Sequence, residues 1–345
     1  MKGLIYQGPK DIVFADVPEP KIVDDRDIIV EVTACSICGS DLHIYNGDTF
    51  FDETGYCVGH EAVGEVVEVG RGVHERRVGE RVMISAAVGC GSCRPCLAGM
   101  ALLCERDQAQ CFGLSNRLPG SQAQAVRVPA GDFNAAPIPE GLTDEQALML
   151  TDAAATAWFG CELARVSPGT QVGVVGLGPI GLMAVEDSFA MGAARVFAID
   201  PVAERRAIAA SLGAIALHPS EAIEVIREET KGRMLNSVLE AAGVSAALTL
   251  ALALPGRLQN VAAIGVNLSP TFDFPMGHLF MHGVNLAVGT CSVPAYWPKI
   301  VPLIQSGRIR PEQFITHRVA LADGAEAYAQ FDRREAGMLK TVLKP

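Results

Sequence analysis

The chain has 345 residues, enough for two domains at roughly 150 residues each, and 49% of them are hydrophobic against 19% charged, which excludes a disordered chain. Lys and Arg total 28 against 39 Asp and Glu, and the formal net charge of -11 argues against binding to a nucleic-acid backbone. No apolar run reaches the roughly 18 residues of a membrane span, and residues 1–20 carry Lys2, Lys10, Asp11, Asp16 and Glu19 around no apolar stretch. Neither a membrane segment nor a secretory signal is expected.

Residues 1–152 read as short alternating runs, such as 27–33 and 61–69, broken by Gly and Pro. That is the period-two pattern of strands in a turn-rich, mostly antiparallel domain. Ten cysteines in a chain expected to be cytoplasmic suggest reduced thiols and metal ligation rather than disulfides. Cys38 and His43 lie in Cys38-Gly-Ser-Asp-Leu-His43, just past a strand, and Gly59-His60-Glu61 opens another. Further on, Cys90, Cys93, Cys96 and Cys104 follow a spacing of two, two and seven intervening residues. Four thiolates so placed can wrap one tetrahedral zinc ion with no open position, the structural kind of site. An iron–sulfur cluster also takes four cysteines, but the spacing matches neither ferredoxin pattern.

Asp152 interrupts the nearly uncharged segment 147–159. A buried carboxylate needs a partner or a proton, and a metal ion shared with Cys38 and His60 supplies the partner. One thiolate and one carboxylate neutralise Zn²⁺, His60 adds no charge, and the fourth position stays open for a catalytic role. Glu61, beside a ligand, either supports the site, exchanges onto the metal, or is a plain surface carboxylate.

From residue 153 strands and helices alternate: a strand at 171–175, a helix at 179–192, a strand at 194–200, a helix at 203–212, a helix around 245–254 and short strands near 238 and 261–264. Such βαβ units predict a parallel sheet covered on both faces. The turn-rich texture returns after 290, with a helix near 298–306 and a closing strand at 339–343. The expected fold is thus α/β, with a Rossmann domain at 153–290 inserted into a β-rich catalytic domain formed by 1–152 and 291–345. Gly176-Leu-Gly178-Pro179-Ile180-Gly181 follows a strand and opens a helix, the full context of a dinucleotide fingerprint. Gly176 allows the turn, Gly178 the approach of a pyrophosphate, and Gly181 close helix packing. Asp200, 24 residues beyond Gly176, suits the ribose hydroxyls and favours NAD over NADP, while Arg205 and Arg206 soften that preference.

Together these motifs resemble the zinc-dependent medium-chain alcohol dehydrogenase family, over essentially the whole chain. The resemblance implies a GroES-like catalytic domain, a catalytic zinc on Cys38, His60 and Asp152, and a structural zinc on Cys90, Cys93, Cys96 and Cys104. It implies a proton relay from Ser40 to His43, Thr156 against the nicotinamide, and Lys340 near the pyrophosphate, where an exposed strand residue is the other reading. The implied activity is hydride transfer between a small or medium primary or secondary alcohol and NAD, in a cleft between the domains. A polyol or threonine dehydrogenase shares the scaffold. A zinc-free quinone reductase and a non-enzymatic zinc- and nucleotide-binding regulator are more distant readings. Phe50, Phe112, Trp158, Tyr296 and Trp297 are candidates for an apolar substrate lining, which disfavours a polyol. His278, His282 and His317 have no assigned role. An edge strand at 279–288 is expected to pair two copies, as homodimer or homotetramer.

Overall fold

The computed structural model describes residues 1–49, 53–106 and 110–345. They divide into two compact units, Met1–Ala155 with Ser292–Pro345, and Thr156–Cys291.

The first unit is organised around the strand Ile28–Ile37, whose Ile28, Ile29, Val30 and Val32 suit a covered pleated surface. Strand Glu61–Val69 pairs antiparallel along one edge, with Ser36 opposite Glu61. Strand Lys340–Lys344 pairs antiparallel along the other, with Ile37 opposite Thr341. These two ladders bring residues distant in sequence, Glu61 and Lys340, to the same end of one strand, immediately before Cys38. The core beneath includes Leu4, Ile28, Ile37, Ile84, Phe112 and Tyr328. Helix Asp144–Leu150 starts with a capping box between Thr143 and Gln146, buries Ala147 to Leu150, and delivers the chain to Asp152.

The second unit holds a six-stranded parallel sheet. Numbered along the chain, its strands lie in the order 3-2-1-4-5-6, the doubly wound arrangement that places a ligand crevice beside the first strand. That strand, Gln171–Val175, is flanked by Arg195–Ile199 and Leu235–Glu240. Val172, Val174 and Val175 are buried, as a strand covered on both faces requires. Helix Pro179–Ala190 begins right after Gly178, with Pro179 in the first turn, where its missing N–H costs nothing.

Two parts of this unit differ from the sequence expectation. A three-residue strand, Ile215–Leu217, and the helix Ala222–Glu229 lie between elements that the sequence pattern showed. The strand is too short to display a period. The expected edge strand at 279–288 is borne out in its second half: Asn285–Val288 joins the sheet edge, while residues 279–282 end the helix Met276–His282, which Gly283 closes at φ +63°. Leu279 and His282, at i and i+3, share one face of a helix but not of a strand, and the glycine stop ends that helix before the strand begins.

Candidate functional site

Cys38, His60, Glu61 and Asp152 present ligand atoms that all lie within 4.8 Å of one another. Cys38 follows the central strand, His60 precedes the strand Glu61–Val69, and Asp152 follows the helix Asp144–Leu150. The Asp152 carboxylate is 3.4 Å from His60 Nε2 and 3.7 Å from Cys38 Sγ. Ser40 Oγ is 3.5 Å from the same His60 nitrogen. His43 is half-buried one turn further on, 4.0 Å from Asp48.

Glu61 is fully buried, so the reading of it as a surface carboxylate is corrected. Ser36 Oγ donates to its Oε2 at 2.5 Å, and the Lys340 ammonium pairs with the same oxygen. The other oxygen, Oε1, is buried without a hydrogen-bond partner among the described residues. An orphaned carboxylate oxygen in a cluster of anionic donors is the environment a cation satisfies. Lys340 is likewise buried, so it is neither an exposed strand residue nor extended into solvent; its ammonium is on Glu61. Burial works against that charge, but Glu61, Cys38 and Asp152 together outweigh it and the pKa rises.

On the far side of the imidazole, His60 Nδ1 faces the buried Asp41 carboxylate at 3.1 Å. Burial alone would lower the His60 pKa, but Asp41 and Asp152 carry it well above the ordinary value. The site thus favours positive charge between His60 and Asp152, and a proton or a metal ion can provide it. Asp41 also accepts from the Cys38 backbone N–H at 2.9 Å. Asp41 has no assigned role in the sequence reading, although its place in the Cys38 motif was a usable signal: a short acid three residues after a thiol can turn back onto the backbone.

The four remaining candidate ligands also converge. Sγ atoms of Cys90 and Cys96 lie 4.0 Å apart, and those of Cys93 and Cys104 lie 3.9 Å apart. A tetrahedron with Zn–S bonds of about 2.3 Å has edges of about 3.8 Å, whereas a disulfide needs about 2 Å. All ten cysteines are free. Burial raises the Cys90 thiol, but donors from Ser92 and Cys93 outweigh it and hold the pKa at about 6, which supplies thiolate at neutral pH. The donor set and spacing fit zinc.

In the second unit, Gly176 adopts φ +92°, and a Cβ on Gly181 would fall 1.8 Å from the Gly176 carbonyl oxygen. Only glycines permit this turn. Asp200 is buried and braces it: Oδ2 accepts from Leu177 N at 2.8 Å and Oδ1 from Val202 N at 2.7 Å. Arg205 approaches Asp200 at 4.0 Å, and Arg206 donates to the Asp200 and Pro201 carbonyls. Thr156 is half-buried on the helix Ala153–Leu163.

The expected aromatic lining is not borne out at two positions. Phe112 is a fully buried member of the first unit's core, and Trp297 is buried with its indole N–H on the Leu150 carbonyl at 2.9 Å. Trp158 donates to Glu162, and Tyr296 lies under the Lys299 ammonium. Phe50 lies outside the described residues.

Residues 24–140 match the alcohol dehydrogenase GroES-like domain, and residues 179–306 the zinc-binding dehydrogenase domain. Over 345 residues the chain is 38% identical to a "probable zinc-binding alcohol dehydrogenase" of Mycobacterium tuberculosis, covering all of this chain and 89% of that protein. The chain belongs to the zinc-dependent medium-chain alcohol dehydrogenase family. Among solved members, an alcohol dehydrogenase from Thermus sp. ATN1 superposes with a TM-score of 0.93 at 34% identity, over 100% of this chain and 99% of that one. An L-threonine 3-dehydrogenase of Bacillus licheniformis is 32% identical over 355 residues, covering 100% of this chain and 99% of that protein. This family member is therefore an oxidoreductase of the alcohol dehydrogenase type, with a GroES-like part and a Rossmann-type part. No helix among its described residues is long and apolar enough to cross a membrane.

Proposed function

We propose that the protein is an NAD-dependent dehydrogenase that interconverts a small or medium primary or secondary alcohol with its aldehyde or ketone. One zinc ion would be held by Cys38, His60 and Asp152 and a second, structural one by Cys90, Cys93, Cys96 and Cys104. The observation that carries this reading is the convergence of Cys38, His60 and Asp152 from three separate elements, beside the unpartnered Oε1 of Glu61.

When bound, the catalytic zinc supplies a Lewis acid that makes a substrate hydroxyl easier to deprotonate, and NAD supplies the hydride acceptor. The chain's own residues do the remaining work. Cys38 as thiolate and Asp152 as carboxylate match the charge of the ion, because Lys340 already cancels Glu61. Asp41 faces His60 Nδ1 at 3.1 Å, on the side opposite the Nε2 that faces Asp152. Ser40, at hydrogen-bond reach of that nitrogen, would accept the substrate's hydroxyl proton as it passes its own through the ribose hydroxyl to His43, which releases a proton to solvent. Backbone N–H groups after Gly176 and Gly178 bind the pyrophosphate at the helix start, with Pro179, Ile180 and Gly181 shaping it. Thr156 packs against the nicotinamide. Asp200 uses its free lone pairs on the ribose hydroxyls and repels a 2′-phosphate, although Arg205 at 4.0 Å weakens that repulsion. Lys340 acts through Glu61 rather than on the pyrophosphate directly.

A polyol or threonine substrate is the second reading. With Phe112 and Trp297 in the core, the aromatic lining no longer disfavours polar substrates, and a threonine dehydrogenase is among the full-length relatives. The cytoplasm suits ten free thiols. A second copy would cover the apolar edge near Asn285–Val288, giving a homodimer or homotetramer.

The deciding experiment measures NADH formation over primary, secondary, aromatic, polyol and amino-alcohol substrates, with and without a zinc chelator. Turnover that the chelator abolishes supports the reading, and the preferred compound names the substrate class. A zinc-loaded protein that oxidises none of them with NAD or NADP ends it.

A further inference from the structure

Behind His60 lies a buried polar column that reaches the helix Gly324–Asp332. Asp41, Gln122 and Tyr328 are all at most 2% exposed. Gln122 Nε2 donates to the Ser36 carbonyl at 3.0 Å and reaches Asp41 Oδ2 at 3.5 Å. Its Oε1 accepts from the Tyr328 hydroxyl at 2.8 Å. The network fixes which way the amide points. Reversed, Oε1 would confront two acceptors, the Ser36 carbonyl and the Asp41 carboxylate. Burial raises the Tyr328 phenol well above its ordinary pKa, so its hydroxyl keeps the proton that it donates.

The backbone of Gln122 is equally constrained. Its N–H donates to the Val58 carbonyl at 3.0 Å, and Ser121 N–H donates to the Gly59 carbonyl at 2.9 Å. Gly59, at φ +87°, has no Cβ because the Gln122 side chain occupies that space; an added Cβ would lie 2.3 Å from Gln122 Cγ. Gln122 therefore touches the strand that leads into Cys38, the turn that leads into His60, and, through Asp41, the carboxylate that faces His60 Nδ1 at 3.1 Å. Asp41 Oδ2 is committed to Cys38 N and Gln122, which leaves Oδ1 for the imidazole.

We propose that Gln122, locked by the Tyr328 hydroxyl, is a positioning residue that sets the Asp41 carboxylate, and through it His60 and Cys38, in the geometry the metal requires. This rests on the zinc reading of Cys38, His60 and Asp152. The mechanism is preorganisation: a ligand whose outer nitrogen faces a fixed carboxylate, here at 3.1 Å, loses less freedom on binding, and removing such supports typically weakens metal affinity about 10- to 100-fold. No bond is made or broken by the column.

The test compares full-length Gln122→Met and Tyr328→Phe with wild type and with Tyr56→Phe, a buried phenol whose hydroxyl has no hydrogen-bond partner among the described residues. Zinc affinity is read by competition with a chromophoric chelator, and ligand geometry from the absorption spectrum of the cobalt(II)-substituted protein. Melting temperature is recorded alongside. Both column variants are expected to lose about 10-fold or more in affinity at the weaker-binding site and to shift the cobalt bands, while Tyr56→Phe does neither. Should Gln122→Met fail to fold, Tyr328→Phe, which deletes one oxygen atom, decides alone. Column variants with wild-type affinity and an unaltered cobalt spectrum, and only a lower melting temperature, would make the column a plain core feature and overturn the proposal. A different outcome separates failure of the zinc reading: a wild-type cobalt spectrum that Cys38→Ser leaves unchanged overturns that reading, and the positioning role with it.

Discussion

Asp41 shows how much a single carboxylate can do when it is buried among donors. It holds the backbone N–H of Cys38, faces Nδ1 of His60, and so aims both at the space shared with Asp152. Asp41→Asn keeps the shape and removes the charge. It is expected to weaken zinc binding by roughly 10- to 100-fold in chelator competition; unchanged affinity would show that the imidazole needs no such partner. Lys340 and Glu61 illustrate the complementary case. Each would be costly alone in the core, and together they leave one carboxylate oxygen over for the cluster.

At the scale of single elements, the helix Pro179–Ala190 serves two ends. The glycine fingerprint leads into its first turn, and further along it buries Asp187, whose Oδ2 has no hydrogen-bond partner among the described residues. Burial pushes the Asp187 carboxyl well above its ordinary pKa, with the nearby Glu186 adding to the effect. The unfolded chain therefore releases this proton at lower pH than the folded one does, and stability falls as pH rises from about 4 towards the folded pKa. Asp187→Asn removes that dependence: the variant should melt above wild type at pH 8, with the difference shrinking towards pH 5. A constant difference across that range would mean that Asp187 ionises freely when folded. The cysteine lobe is a second self-contained element. Cys96→Ser is expected to lower zinc content from two ions per chain to one and to lower the melting temperature, because the lobe's core cluster is the four cysteines packed against Phe133. Undiminished zinc content would remove the structural assignment.

For the whole molecule, the second unit carries several strongly exposed apolar side chains close together in sequence near its sheet edge. Phe280 is 79% exposed, Met281 75% and Val288 73%, on or beside the sheet's edge strand. An open edge with apolar flanks invites another copy. Light scattering should find a dimer or tetramer, and Phe280→Glu should shift it towards the monomer; a monomeric wild type would end the oligomer proposal. Sequence by itself determined what is local or periodic. The glycine turn, the four-cysteine spacing, the strand at 171–175 and the helix from Pro179 all follow from residue type at fixed separations, and so were legible along the chain. Three outcomes depended on tertiary structure. Burial sent Phe112 and Trp297 to the core, since an aromatic side chain packs equally well in a lining or an interior. The segment 279–288 divided into a helix end at 279–282 and an edge strand at 285–288, because so short an apolar stretch fits either period and sheet pairing decides which part becomes strand. The column from Tyr328 through Gln122 to Asp41 joins residues more than 200 positions apart in sequence, and no spacing rule connects them. Only the strand pairings and packing that bring those segments together could reveal it.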